Sequence, residues 1–190
     1  MSRGTATTVV ENLPRGGLIR RAGKLEAVPA AHRTRTIDVG TGPRTAITIP
    51  WGDLATAFHS TGIPDIEVYL AVSRGERRAI RASRWFSWLG GTAVVQGYLM
   101  ARMRRGPAGP TEQARAAGES LLWGEVEDAA GAKAVSRLRT PEGYTLTALT
   151  ATTVAERILA GQAPPGFQTP SRAYGADFVL AIPGCRRTDD

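Results

Sequence analysis

Apolar residues recur at helical spacing near the start of the chain, at Ala6, Val9, Val10 and Leu13, which predicts a short helix over 4–13. Pro14 and the Gly16-Gly17 pair break it. Strand-like runs follow at 24–28, 34–39 and 44–49, the last two separated by Gly40-Thr41-Gly42-Pro43, a hairpin composition. Pro50-Trp51-Gly52-Asp53 opens a predicted helix that runs to about Ser60 and stops at Gly62 and Pro64. Residues 65–72, Asp-Ile-Glu-Val-Tyr-Leu-Ala-Val, alternate polar with apolar and predict a strand.

The middle of the chain reads as two helices, 77–86 and 89–103, before a linker at Gly106-Pro107-Ala108-Gly109-Pro110. Residues 119–127 and 132–139 flank Asp128-Ala129-Ala130-Gly131 and predict a second hairpin. A helix is then expected to begin with Thr140 as N-cap, Pro141 at the first helical position and Glu142 at the positive end of the dipole, and to run through 144–160. It places Leu146, Leu149, Val154 and Ile158 on one face and ends at Gly161. Five threonines between Tyr144 and Thr153 weaken its propensity, so packing must hold it. Phe178–Ile182 predicts a last strand before a polar tail. The sum is one soluble α+β domain spanning 1–190, an ordinary length for a single core.

The net charge of +7 raises the question of nucleic acid. Lys24 and Lys133 are the only lysines, and the arginines spread from Arg3 to Arg187 with one denser run at 74–84. A phosphate-binding surface should be clustered and interleaved with stacking aromatics, so nucleic acid is not the expected partner. One cysteine, Cys185, cannot form an internal disulfide, and with only His32 and His59 beside it a four-ligand zinc site is excluded. The first residues lack the apolar core of a secretory leader, so a cytoplasmic location is expected.

No Gly-x-Gly-x-x-Gly fingerprint is present; Gly40-Thr41-Gly42 lacks the third glycine and is followed by strand character rather than a helix. There is no P-loop, and no Gly-x-Ser-x-Gly elbow to make His59-Ser60 more than sequence neighbours. Residues Trp85–Ala101 are uncharged over 17 positions and flanked by arginines. That is short of the ~20 residues a membrane span needs, so no span is expected. The run reads as a buried or interfacial helix, the latter contacting a membrane surface.

Two segments combine polar groups with tight turns: Ile49-Pro-Trp-Gly-Asp-Leu through Ser60-Thr-Gly-Ile-Pro64, and Gly166-Phe-Gln-Thr-Pro-Ser-Arg-Ala-Tyr-Gly175. Such loops on a rigid frame commonly present function. With Asp65-Ile-Glu-Val-Tyr69, Thr140-Pro-Glu-Gly-Tyr-Thr-Leu-Thr147 and the 166–180 run, they resemble the saccharopine dehydrogenase-like proteins, including the trans-acting enoyl reductases. The resemblance extends from Ser2-Arg-Gly-Thr5 to Gly184 and is weakest over 74–118, which reads as a helical insertion.

The resemblance implies an α+β substrate and dimerisation domain with a mixed β-sheet and flanking helices. In the complete family enzyme this domain follows an N-terminal Rossmann domain that binds NADP or NAD. Ser2-Arg3-Gly4-Thr5 matches a stretch after that domain, so this chain alone is expected to bind no cofactor or metal and not to be catalytic by itself. The implied partners are a second copy or a separate Rossmann-domain chain, and the implied substrate is an enoyl or other acyl compound. Candidate substrate-binding residues are Asp53, Ser60, Thr61, Arg172 and Tyr174, with no catalytic residue assigned. Arg172 offers bidentate donors to a carboxylate or phosphate, or else a pairing with Asp177; Tyr174 offers a proton or hydrogen bond. The alternative is a non-enzymatic interaction or lipid-surface module that uses the Trp85–Ala101 region.

Overall fold

Ser2 starts the first helix, its Oγ accepting the amide of Thr5 at 3.2 Å. The structure, a computed structural model, describes residues 2–12, 15–83, 92–106 and 108–190. Its α+β class agrees with the sequence expectation. The chain divides into two compact units, Met1–Ile37 with Arg44–Pro110, and Asp38–Pro43 with Thr111–Asp190.

In the first unit, helix α1 (Arg3–Asn12) buries Ala6 and Val10, one turn apart. The predicted continuation to Leu13 lies outside the described residues. Strands β1 (Gly17–Arg21) and β2 (Lys24–Val28) pair antiparallel, Arg21 opposite Lys24. The sequence reading missed β1, because Gly16-Gly17 reads as a break and Arg20-Arg21 masks the alternation. The two-residue turn Ala22-Gly23, with φ of 48° and 76°, closes the hairpin. Both values are positive, the conformation that matches the twist of paired strands and that glycine adopts without steric cost.

Strands β3 (Thr34–Asp38), β4 (Pro43–Thr48) and β5 (Tyr69–Ala71) form a sheet with β4 central, burying Ala46, Ile47 and Thr48 in succession. Helix α2 (Asp53–Thr61) lies between β4 and β5 in sequence and buries Leu54. The strand expected over 65–72 changes partner midway. Ile66 bridges Arg20 of β1, while Val68 accepts the amide of Ile49 at 2.9 Å and β5 continues along β4. Helix α3 (Arg74–Ser83) follows, capped reciprocally by Ser73 and Glu76. Helix α4 (Ala93–Arg104) runs antiparallel to α1: Gln96 Nε2 donates to Val10 O at 3.0 Å, and Arg3 Nη1 to Arg104 O at 3.4 Å. Residues 84–91, where the two helices predicted in this region meet, lie outside the described residues.

In the second unit, helix α5 (Glu112–Ala117) is capped by Thr111 and was not expected from sequence. Strands β6 (Glu119–Glu127) and β7 (Lys133–Pro141) form the predicted hairpin, and β8 (Arg186–Asp189) pairs on the other side of β7. Helix α6 (Gly143–Leu159) starts later than predicted. Thr140 and Pro141 belong to β7, and the cap is Glu142, whose Oε2 accepts the amides of Tyr144 and Thr145 at 2.9 and 3.3 Å. Its inward stripe is only half-buried, and Ile158 is 54% exposed rather than on the packed face.

The end of the chain departs most from expectation. After α7 (Pro170–Tyr174), residues Ala176–Ala181 form a 3₁₀ helix, not a strand. Phe178 is buried within it and Ile182 just beyond its end, and a short apolar run does not distinguish helix from strand. The last strand is instead the polar tail: Arg139 pairs with Arg186 and Ser136 with Asp189 across β7 and β8. The family resemblance implies one mixed sheet; the described strands form three small antiparallel ones. Short turns enforce this for β1–β2, β3–β4 and β6–β7, being too short for a parallel crossover, while β5 and β8 return antiparallel after longer connections. No helix among the described residues is long and apolar enough to cross a membrane.

Candidate functional site

The first polar segment is clamped at both ends. Ile49 is held by Val68 O where the chain leaves β4. Beyond α2, Gly23 N donates to Pro64 O at 2.9 Å, Ala22 N to Asp65 Oδ1 at 2.9 Å, and Arg20 and Ile66 exchange backbone bonds. Arg20 completes the clamp. It is 92% buried by its 8% exposure, donating from Nε to Leu54 O and from Nη1 to Gly23 O, each at 2.6 Å. Its guanidinium carbon lies 4.2 Å from the centroid of the Phe58 ring.

Asp53 occupies the first turn of α2 and is exposed, its carboxylate at the end of the helix that favours negative charge. Ser60 and Thr61 sit at the opposite end, roughly 10 Å away by helical rise. Their hydroxyls donate to the carbonyls of Thr56 and Ala57 at 2.8 and 2.7 Å, and Thr61 Oγ1 accepts the amide of Ile63 at 3.2 Å. Together with Gly62 at φ 71°, these bonds shape the exit turn. Asp53 is therefore not brought together with Ser60 and Thr61, although all three belong to one clamped element.

In the second unit, Thr169 N-caps α7 with Pro170 at its first position, which orients Arg172 and Tyr174. Arg172 is exposed, and Asp177, its suggested partner, is ion-paired with Arg187 at 2.6 Å. Tyr174 is half-buried, its ring centroid 5.2 Å from that of Phe178. Arg157 of α6 lies over both rings, its guanidinium carbon 4.8 Å from each centroid. No carboxylate among the described residues pairs with Arg157. A guanidinium that rests on aromatic rings without a carboxylate partner retains N–H donors for a planar anion. Arg157 was missed because its sequence position marks only the last turn of a helix; nothing there announces two rings from a segment some 20 residues later.

One further polar group was readable in part. Glu67 and Tyr69 stand two apart on an extended segment, hence on one side of it. Tyr69 Oη donates to Glu67 Oε2 at 2.5 Å, and Arg33 Nη1 donates to Glu67 Oε1 at 2.8 Å. Burial, then the hydrogen bond to Glu67 and its charge, push the Tyr69 phenol up to about 12. At neutral pH it is a donor that fixes the carboxylate, not a base.

The Gly40-Thr41-Gly42 turn offers nothing to a dinucleotide. Its amides at Gly40 and Gly42 already donate to Asp38 Oδ1, at 2.8 and 3.0 Å. The backbone N–H of Gly40 foremost, with those of Gly42 and Thr41, holds the Asp38 carboxyl below its ordinary range, against an opposing effect of burial. A pyrophosphate would need those donors, so the residues present do not fit it. Among the described residues no cluster of three His, Cys, Asp or Glu side chains could hold a metal. No family model and no protein of curated function matches the chain.

Proposed function

We propose that this chain is the substrate-side portion of a saccharopine dehydrogenase-like, NAD(P)-dependent oxidoreductase acting on an enoyl or other acyl substrate in the cytoplasm. Nucleotide binding falls to residues outside the chain or to a separate Rossmann-domain partner, and the nicotinamide's chemistry belongs there. The part of this chain is to bind and orient the substrate; pairing with a second copy fits the same reading.

The observation that carries the proposal is the Arg157–Tyr174–Phe178 cluster. It supports recognition of a substrate with an acidic group, a carboxylate or phosphate, bound in the plane of the guanidinium. Arg172 adds a second cation on the same short segment, and the Tyr174 hydroxyl adds a donor for an oxygen that gains charge during reduction. The clamped α2 segment with Asp53, Ser60 and Thr61 belongs to the other unit and is a separate candidate. Asp38 occupying the Gly40-Gly42 turn supports the division of labour with a nucleotide-binding partner.

Calorimetry on the purified chain tests this reading. An enoyl-coenzyme A, with its phosphates and acyl group, should bind, and Arg157→Gln should weaken binding by roughly tenfold to a hundredfold, the worth of a charge-assisted pair. NADPH and NADH should show no measurable binding. Tight binding of either dinucleotide, or acyl-coenzyme A binding indifferent to Arg157, would overturn the proposal.

A further inference from the structure

Helix α3 carries Arg74, Arg77, Arg78 and Arg81 in ten residues with one acid, Glu76. The spacings of three, four and seven set all four arginines on one face of the helix. Arg74, Arg78 and Arg81 are exposed and Arg77 is half-buried. Among the described residues none of the four makes an ion pair. Glu76 pairs with none of them, its Oε2 accepting the amide of Ser73 at 2.8 Å to close the helix cap, but it keeps its charge, so the helix carries a net of three positive charges.

A second observation lies at the head of this stripe. An open recess of about 440 Å³ is lined by Arg44, Thr45, Ser73, Arg74 and Glu76 together with Ala71 and Val72 at the end of β5. Arg44 is exposed on β4 and likewise has no acidic partner among the described residues. Two guanidinium groups thus border a space large enough for a phosphate-bearing headgroup, and three more continue in a row along the helix. The row spans about 10 Å, from the rise between Arg74 and Arg81. Separately, α4 of the same unit exposes Val94 by 82% and Tyr98 by 65%, one turn apart.

We propose that the Arg44–α3 surface binds the anionic headgroups of a lipid bilayer. A straight basic row with a headgroup-sized recess is complementary to a plane of phosphates, and exposed valine and tyrosine suit the interface between headgroup and acyl chain. Nucleic acid fits less well, since α3 carries no aromatic side chain to stack on a base. The basic row and its recess lie outside the Trp85–Ala101 region that sequence alone suggests, whereas Val94 and Tyr98 belong to it; the contact needs no substrate or cofactor. It stands or falls independently of the oxidoreductase reading.

Flotation of the full chain with vesicles is the test. Phosphatidylcholine vesicles containing about 30 mol% phosphatidylglycerol should carry the protein at about 0.1 M salt, and pure phosphatidylcholine vesicles should not. Each arginine near an anionic surface contributes roughly fivefold to partitioning. The variant Arg74→Gln/Arg77→Gln/Arg78→Gln/Arg81→Gln should therefore lose on the order of a hundredfold or more, while Arg15→Gln/Arg115→Gln, which removes charge elsewhere, should lose little. Glutamine keeps helix propensity. Should the fourfold variant not fold, Arg74→Gln/Arg78→Gln should still lower partitioning by about tenfold or more. Raising the salt to about 0.5 M should release the wild-type protein. Absence of co-flotation, binding equal on neutral vesicles, or loss no greater for the stripe variants than for the control would each overturn the proposal. So would tighter binding to duplex or single-stranded DNA than to the vesicles at the same salt.

Discussion

The guanidinium carbon of Arg20 stands 4.2 Å from the ring centroid of Phe58, joining a β-hairpin to the helix of the first polar segment. The same guanidinium donates to the carbonyls of Leu54 and Gly23, so a charge that is 92% buried by its 8% exposure is satisfied by dipoles and a ring, with no carboxylate among the described residues. A planar fork can serve two carbonyls and a ring together; a lysine ammonium cannot. Arg20→Ala should cost about 2–4 kcal/mol of stability through lost hydrogen bonds, lost stacking and a cavity. Arg20→Lys should recover only part of that. Urea denaturation of Arg20→Ala, Phe58→Leu and the double variant should give a coupling of about 1 kcal/mol between the two side chains. Additive effects would show that the ring contact contributes nothing.

That pairing also marks the limit of what the sequence reveals. Hairpins with period-two strands and turn residues, such as β6–β7, are legible because alternation and the Asp128–Gly131 turn agree. Helix α2 is legible for the same reason, through Asp53 at its start and Gly62 at its end. Strand β1 is not, since a buried arginine that satisfies itself on carbonyls breaks the apolar pattern. Residues 178–182 and 186–189 exchange their expected roles because a short apolar run suits helix and strand equally, while a polar edge strand has no periodic signature. For the candidate site, the polar segments could be found by composition. Arg157 and Arg20 could not, because what gives each its meaning is a ring distant in sequence.

The β1–β2 turn is strained at one position. Ala22 holds φ 48°, beside Gly23 at φ 76°. A left-handed conformation costs an alanine roughly 1 kcal/mol, and asparagine tolerates it far better. The Ala22 amide still reaches Asp65 Oδ1 whatever the side chain. Ala22→Asn, giving the Asn-Gly pair favoured in such turns, should raise stability by about 0.5–1 kcal/mol, seen as a higher melting temperature. Ala22→Val should lower it, since β-branching worsens the clash. If asparagine stabilises nothing and valine is tolerated, the turn does not have this conformation in solution.

Asp38 makes stability depend on acidity in a defined direction. Backbone N–H groups of its own turn, Gly40 foremost, lower its folded pKa below the usual 3.8. The folded state therefore binds fewer protons than the unfolded one as the solution is acidified. The contribution is complete above about pH 4, the unfolded range, and is lost as pH falls through the depressed folded value. Asp38→Asn keeps an acceptor oxygen for the turn without the charge. The variant should melt below wild type at pH 6, and the gap should narrow as the pH falls below about 4. Glu76 and Asp189 are lowered as well, the first by Ser73 and the second by Ser136, but both remain in the two proteins and cancel in the difference. Melting curves over that range decide the matter: a gap that stays constant with pH means the turn gains nothing from the ionised carboxylate.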